Sequence, residues 1–269
     1  MKLLACALFS LCVSLPMHAA ELRIDLGHGL KVWTTAQLLA RKDTAEITIP
    51  DDVAFHRVMR YRAVPLLSLL PGLQPGQHLQ FVAGDGFVAE IPAGVILNKQ
   101  GSKPWIAVED PTLPWPALAE KPNGAGPFYL VWTDPQAARI GTEQWPFELS
   151  SIRALRGVDA RFPAIVPDSS VAANDEVRHG FDVFKRTCFA CHTLDGEGDS
   201  KLGPDLNIPH NPTEYLRADL LRAFVRNPQS LRRWPQAQMP PFPAGALSDA
   251  DLDAVLAYLR YMAKHKVTR

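Results

Sequence analysis

Residues 188–192 read Cys188-Phe189-Ala190-Cys191-His192, and this C-x-x-C-H stretch decides how the C-terminal part of the chain is read. Two thiols three positions apart can each form a thioether to one porphyrin, and the adjacent imidazole can then reach the iron. The pattern is that of covalent c-type haem attachment. Other uses of paired cysteines are poorly served. A zinc site needs two more ligands at partner spacing, and no Cys follows residue 191. A thiol redox pair is expected beside a βαβ pattern, which the flanking sequence lacks.

Outward from this motif the spacing is helical. On its N-terminal side Asn174 is the expected cap of a helix in which Val177, Gly180, Phe181 and Phe184 share one face. Gly180 on that face would let a second helix approach closely. Near the C-terminus, Ser248 caps another predicted helix, with Asp249 and Asp251 in its first turn. Leu252, Val255, Leu256, Leu259 and Met262 form its apolar stripe, and Lys264 and Lys266 complement its far end. Phe181 and Tyr258 are the expected aromatic contact where the two helices cross. Prolines and small residues across Arg161–Ala173 mark a seam, with the linker placed at 169–173 and a helical domain at 174–269.

The helix pair, Cys188–His192, Gly203-Pro204-Asp205-Leu206 and Gln238-Met239-Pro240-Pro241-Phe242 together resemble a monohaem class I cytochrome c across residues 172–269. The resemblance implies an all-α domain with one covalent haem c, and support of the proximal His192 through Pro204, with Leu206 also at the haem pocket. For the sixth ligand the candidates are Met239, Met262, His210 and His265. Met239 is preferred because its Pro-rich loop is free to project a thioether. Met262 belongs to an apolar stripe, and His265 lies near the chain end. His210, in a rigid loop, is the competitor. His/Met ligation would give a six-coordinate, high-potential iron suited to electron transfer. Between residues 217 and 233, Arg217, Arg222, Arg226, Arg232 and Arg233 face only Asp219 as an acid. Arg222, Arg226, Arg232 and Arg233 are therefore either a solvated basic face or candidates for docking an acidic redox partner.

Residues 1–20 have the outline of a secretory signal: Lys2, an apolar run from Leu3 to Leu15, and small residues before Glu21. Its removal would take Cys6 and Cys12 with it, leaving Cys188 and Cys191 as the cysteines of a periplasmic chain. No later stretch is apolar for long enough to span a bilayer. A composition of 47% hydrophobic and 21% charged residues is that of a globular chain, and a formal net charge of +0 argues against a nucleic-acid partner.

Residues 21–168 alternate short strand-like runs with turns. Glu46–Ile49 and Phe128–Trp132 read as strands, and Leu79–Ala83 and Phe87–Ile91 as a hairpin across Asp85-Gly86. Residues 35–40 and 65–70 read as short helices. The expectation is an α+β domain, mostly β with short helices. His28, His56 and His78 form no ligand cluster and are read as structural or surface residues. Arg57, Arg60 and Arg62 could bind an anion or line a solvated strand edge. Trp33, Trp105, Trp115, Trp132 and Trp145 are read as core or interface residues.

Arg62-Ala-Val-Pro-Leu66, Gly84-Asp-Gly-Phe-Val-Ala-Glu-Ile-Pro92 and Gly124-Ala-Gly-Pro-Phe-Tyr-Leu-Val131 resemble parts of the molybdopterin-binding domain of the sulfite-oxidase-like family. In that family a Cys supplies a thiolate to molybdenum. Residues 21–187 contain no Cys, and a soft thiolate is not replaced by His or Asp without changing the metal chemistry. Molybdopterin is therefore not expected. The resulting expectation is an electron-transfer protein or subunit relaying between a dehydrogenase and a downstream acceptor, with the N-terminal domain as a docking module. A sulfite-dehydrogenase-like molybdenum enzyme with a fused haem acceptor is the alternative. A haem-bearing sensor or assembly protein is a third class.

Overall fold

The computed structural model describes residues 20–118, 124–234 and 236–267; all but the last residue of the expected signal segment, with Cys6 and Cys12, lies outside them. The N-terminal half begins with β1 (Glu21–Asp25), β2 (Leu30–Thr34), α1 (Thr35–Leu39), β3 (Ala45–Ile49), β4 (Met59–Pro65) and α2 (Leu66–Leu69). It continues with β5 (His78–Ala83), β6 (Val88–Pro92), α3 (Ala93–Ile96), β7 (Lys103–Val108), β8 (Phe128–Thr133) and β9 (Leu149–Leu155). Alternation along these strands sends one set of side chains inward. Leu22, Phe81, Ile106, Leu130 and Trp132 are consequently fully buried.

The strands form two sheets, one ordered β2-β1-β9-β5-β6 and the other β3-β4-β7-β8. The β5–β6 hairpin forms as expected, with Phe81 opposite Ala89 and Gly86 taking a positive φ of 97° in its turn. The short helices predicted at 35–40 and 65–70 are α1 and α2. Thr34 caps α1 reciprocally with Gln37: the Gln37 N–H donates to Thr34 Oγ1 at 3.2 Å, and the Thr34 N–H to Gln37 Oε1 at 2.9 Å. One expectation changes. β4 lies between β3 and β7, so Arg60 and Arg62 project from an interior strand rather than a sheet edge. Arg62 donates to the Leu39 carbonyl and pairs with Asp110. The five tryptophans of this half are core residues: Trp132 and Trp145 are buried, and Trp33, Trp105 and Trp115 pack against the same cluster.

The C-terminal half is helical. After α4 (Val158–Arg161) come α5 (Glu176–Thr187), α6 (Pro212–Tyr215), α7 (Ala218–Arg226), α8 (Pro228–Leu231) and α9 (Asp249–Ala263). The α5 cap is Asp175, not Asn174: the Val177 N–H donates to Asp175 Oδ1 at 2.8 Å, one residue later than expected. A carboxylate there also meets the positive end of the helix dipole. Ser248 caps α9 as predicted, accepting from the Asp251 N–H at 3.1 Å, and Leu252, Val255, Leu256, Leu259 and Met262 are buried. Lys266 pairs with Glu214 at 2.6 Å.

The α5–α9 crossing is close. A Cβ on Gly180 would lie 2.0 Å from the Ala254 carbonyl oxygen, and Phe181 meets Tyr258 with ring centroids 5.5 Å apart. This helical core also takes in Val158 and Ile165, and the Tyr258 hydroxyl donates to the Ile165 carbonyl at 2.6 Å. Residues just before the linker thus already pack with the helices. No helix among the described residues is long and apolar enough to cross a membrane.

Candidate haem site

The C-x-x-C-H motif begins where α5 stops. The Cys188 N–H closes the last helical turn onto the Phe184 carbonyl at 2.9 Å, and the Cys191 and His192 N–H groups donate to the Cys188 carbonyl at 3.1 and 3.0 Å. One tight turn therefore carries both thiols and the imidazole. The two intervening residues anchor it: Phe189 and Ala190 are buried, and Phe189 packs on Phe162 and Phe184. Cys188 and Cys191 are half-buried and joined by no disulfide. Burial pushes the Cys188 thiol up to about 12, helped by nearby Glu143 and Cys191 and opposed by Arg186.

His192 is aimed by the 203–206 loop. Its Nδ1 lies 2.8 Å from the Pro204 carbonyl oxygen, which can only accept, so Nδ1 carries the proton and Nε2 keeps its lone pair. Burial lowers the His192 pKa against smaller opposing effects of Pro204 and Asp205, so the neutral ligand form is favoured. Gly203 is required by contact: a Cβ there would lie 2.5 Å from the ring. Asp205 holds the loop in shape by accepting from the Thr193 hydroxyl and the N–H groups of Gly196, Asn207 and Ile208. Burial raises the Asp205 carboxyl, but these bonds outweigh it and keep it below the usual range.

Of the four candidate sixth ligands, Met239 is half-buried and packs on the helical core, as do Cys188 and Leu206. Met262 is buried in the α9 stripe. His265 stacks on Tyr261 at 4.0 Å and donates to its carbonyl at 2.7 Å, and His210 is exposed. Two thiols on one turn, an imidazole that keeps its Nε2 lone pair and a thioether are a donor set that fits covalent haem.

The arginines divide. Arg222 pairs with Asp249 and Asp253, and Arg226 pairs with Asp249 at 2.6 Å while donating to the Phe242 and Leu247 carbonyls at 2.8 and 2.5 Å. Arg232 and Arg233 are exposed, and Arg232 lies over the ring of the exposed Trp234 at 5.5 Å.

The β domain reaches the C-x-x-C-H turn directly. β6 is an edge strand, and its Val88 N–H donates to the Ala190 carbonyl at 3.1 Å; the Ser200 hydroxyl bonds the Gly86 carbonyl at 3.1 Å. Beside these contacts Glu90 is almost fully buried, bonded to His78 at 2.7 Å, Gln80 at 2.7 Å and Arg161 at 2.5 Å. Gln80 and Arg161 also reach Asp199, at 2.6 and 3.2 Å. Glu143, in the 3₁₀ turn Thr142–Gln144 that packs on α5, is raised to about 7 by burial. Sequence reasoning missed Glu90, Arg161, Asp199 and Glu143. The hairpin register, which sets Gln80 opposite Glu90, was the one available signal for this network.

A turn presenting two thiols, with an imidazole aimed by a backbone carbonyl, is the arrangement that a c-type haem domain uses. Residues 177–263, from α5 to the end of α9, match the family described as Cytochrome c. The chain therefore carries a cytochrome c domain, which implies covalently bound haem c and electron transfer. No curated protein matches the chain.

Proposed function

We propose that this protein is a periplasmic electron carrier in which one haem c is joined through Cys188 and Cys191 and ligated by His192 and Met239. The observation that carries the reading is the His192–Pro204 bond, which leaves Nε2 as a lone-pair donor on the turn bearing both thiols. When bound, the haem supplies a one-electron ferric/ferrous couple. His192 and Met239 would hold the iron between them, a ligand pair that would close it to substrate or oxygen and, through the thioether, raise its potential. Pro204 fixes the imidazole and Leu206 contributes apolar wall. Arg232 and Arg233 attract an acidic redox partner, such as a dehydrogenase or a small carrier.

The domain at 21–168 serves as a docking module. Its sequence motifs resemble the molybdopterin-binding domain of sulfite-oxidase-like proteins, but with no cysteine in residues 21–187 to supply the thiolate it is not expected to hold molybdenum. Support for a docking role comes from the bonds of Val88 and Gly86 to the haem-attachment segment. Met239→Ala should abolish the long-wavelength thioether–iron band of the ferric spectrum and lower the potential. An unchanged spectrum and potential would contradict the ligand assignment.

A further inference from the structure

We propose that Arg226 is a positioning residue for Met239, acting on the loop that carries the thioether and not on a redox partner. The inference rests on Met239 being the sixth ligand. Arg226 ends α7, and its guanidinium holds three points at once: the Phe242 carbonyl, the Leu247 carbonyl and the Asp249 carboxylate in the first turn of α9. The loop thus tied runs from Met239 to Leu247 and contains Pro240, Pro241 and Pro243. Prolines have no N–H to donate, so the part of the loop next to Met239 has few bonds of its own.

Besides the Arg226 fork, the loop is held by the Phe242 N–H on the Val225 carbonyl at 3.2 Å, by a turn in which the Ala246 and Leu247 N–H groups donate to the Pro243 carbonyl at 2.9 and 3.0 Å, and by the buried side chains of Phe242 and Leu247. Phe242 is three residues from Met239, so its carbonyl is the nearest point at which the arginine can set the thioether. Arg226 is four-fifths buried, with its donors turned to these acceptors, and it is poorly placed to meet a partner. A lysine cannot reproduce the planar fork onto two carbonyls.

A loosened loop raises the fraction of protein in which the thioether is off the iron. An external ligand that binds only that form gains apparent affinity in proportion. In holoprotein retaining covalent haem, Arg226→Met should weaken the ferric thioether band and raise imidazole affinity at least about tenfold. Arg226→Lys, which keeps the charge, should rescue neither fully. Asp249→Asn, which removes the ion pair and leaves both carbonyl bonds, should match wild type. Wild-type band and imidazole affinity in both Arg226 variants would overturn the inference. A wild-type spectrum without the band, or one indifferent to Met239→Ala, would instead remove the ligand reading beneath it.

Discussion

In the N-terminal half, strands from two sheets bury Leu22, Phe81, Leu130 and Trp132 through many interchangeable contacts. In the C-terminal half a few contacts admit no substitute: Gly180 under the Ala254 carbonyl, Gly203 against the His192 ring, and the Pro204 carbonyl on Nδ1. The first arrangement distributes its stability over area, which tolerates small losses. The second concentrates it at points fixed by the geometry of a ligand-bearing turn. Single changes should therefore weigh differently in the two halves.

The largest contrast is expected at the helix crossing. Gly180→Ala puts a methyl 2.0 Å from a backbone oxygen that cannot rotate away, and should cost more than about 3 kcal/mol. Ile152→Val, a one-methylene loss in the β core, should cost only about 1 kcal/mol. Thermal unfolding followed by the haem band and by far-UV signal measures both. Equal losses would break the contrast.

The contacts between the halves come next. Burial raises the Glu90 carboxyl, but the bonds from His78, Arg161 and Gln80 together outweigh it and hold the pKa below its ordinary value. A depressed folded pKa contributes stability above the unfolded carboxylate range, and that stability is lost as pH falls through the folded value. Glu90→Gln should cost about 2 kcal/mol at neutral pH and flatten the acid limb of the stability curve. An acid limb as steep as wild type would remove Glu90 from that role.

The smallest effect belongs to the exposed charges. Arg232→Ala with Arg233→Ala should slow reduction by an acidic partner a few-fold at low salt, with the difference vanishing at high salt. Rates independent of salt would count against electrostatic docking at this face.

What the sequence made legible follows the same division. The α9 stripe and the Ser248 cap are local helical spacings, and the close approach at Gly180 and the Phe181–Tyr258 contact follow where two such faces meet; each is present. The α5 cap differed by one residue because Asn174 and Asp175 are both good caps and stand side by side. Pairings between distant strands were not legible. β9 runs parallel to β1 and antiparallel to β5, setting Ile152 beside both Ile24 and Phe81, and no local period encodes that. Arg222 and Arg226 read as free charge because their acids, Asp249 and Asp253, lie on another helix. Glu90 and Arg161 carried no signal without the docking of one half on the other.

The central claim is an electron carrier with a single covalent haem and no molybdenum beside it. Metal analysis of the full chain purified from a periplasm tests this most directly. The account predicts one iron per chain, retained on denaturation because Cys188 and Cys191 hold the porphyrin by thioethers, and no molybdenum. Stoichiometric molybdenum, or iron lost on denaturation, would contradict it.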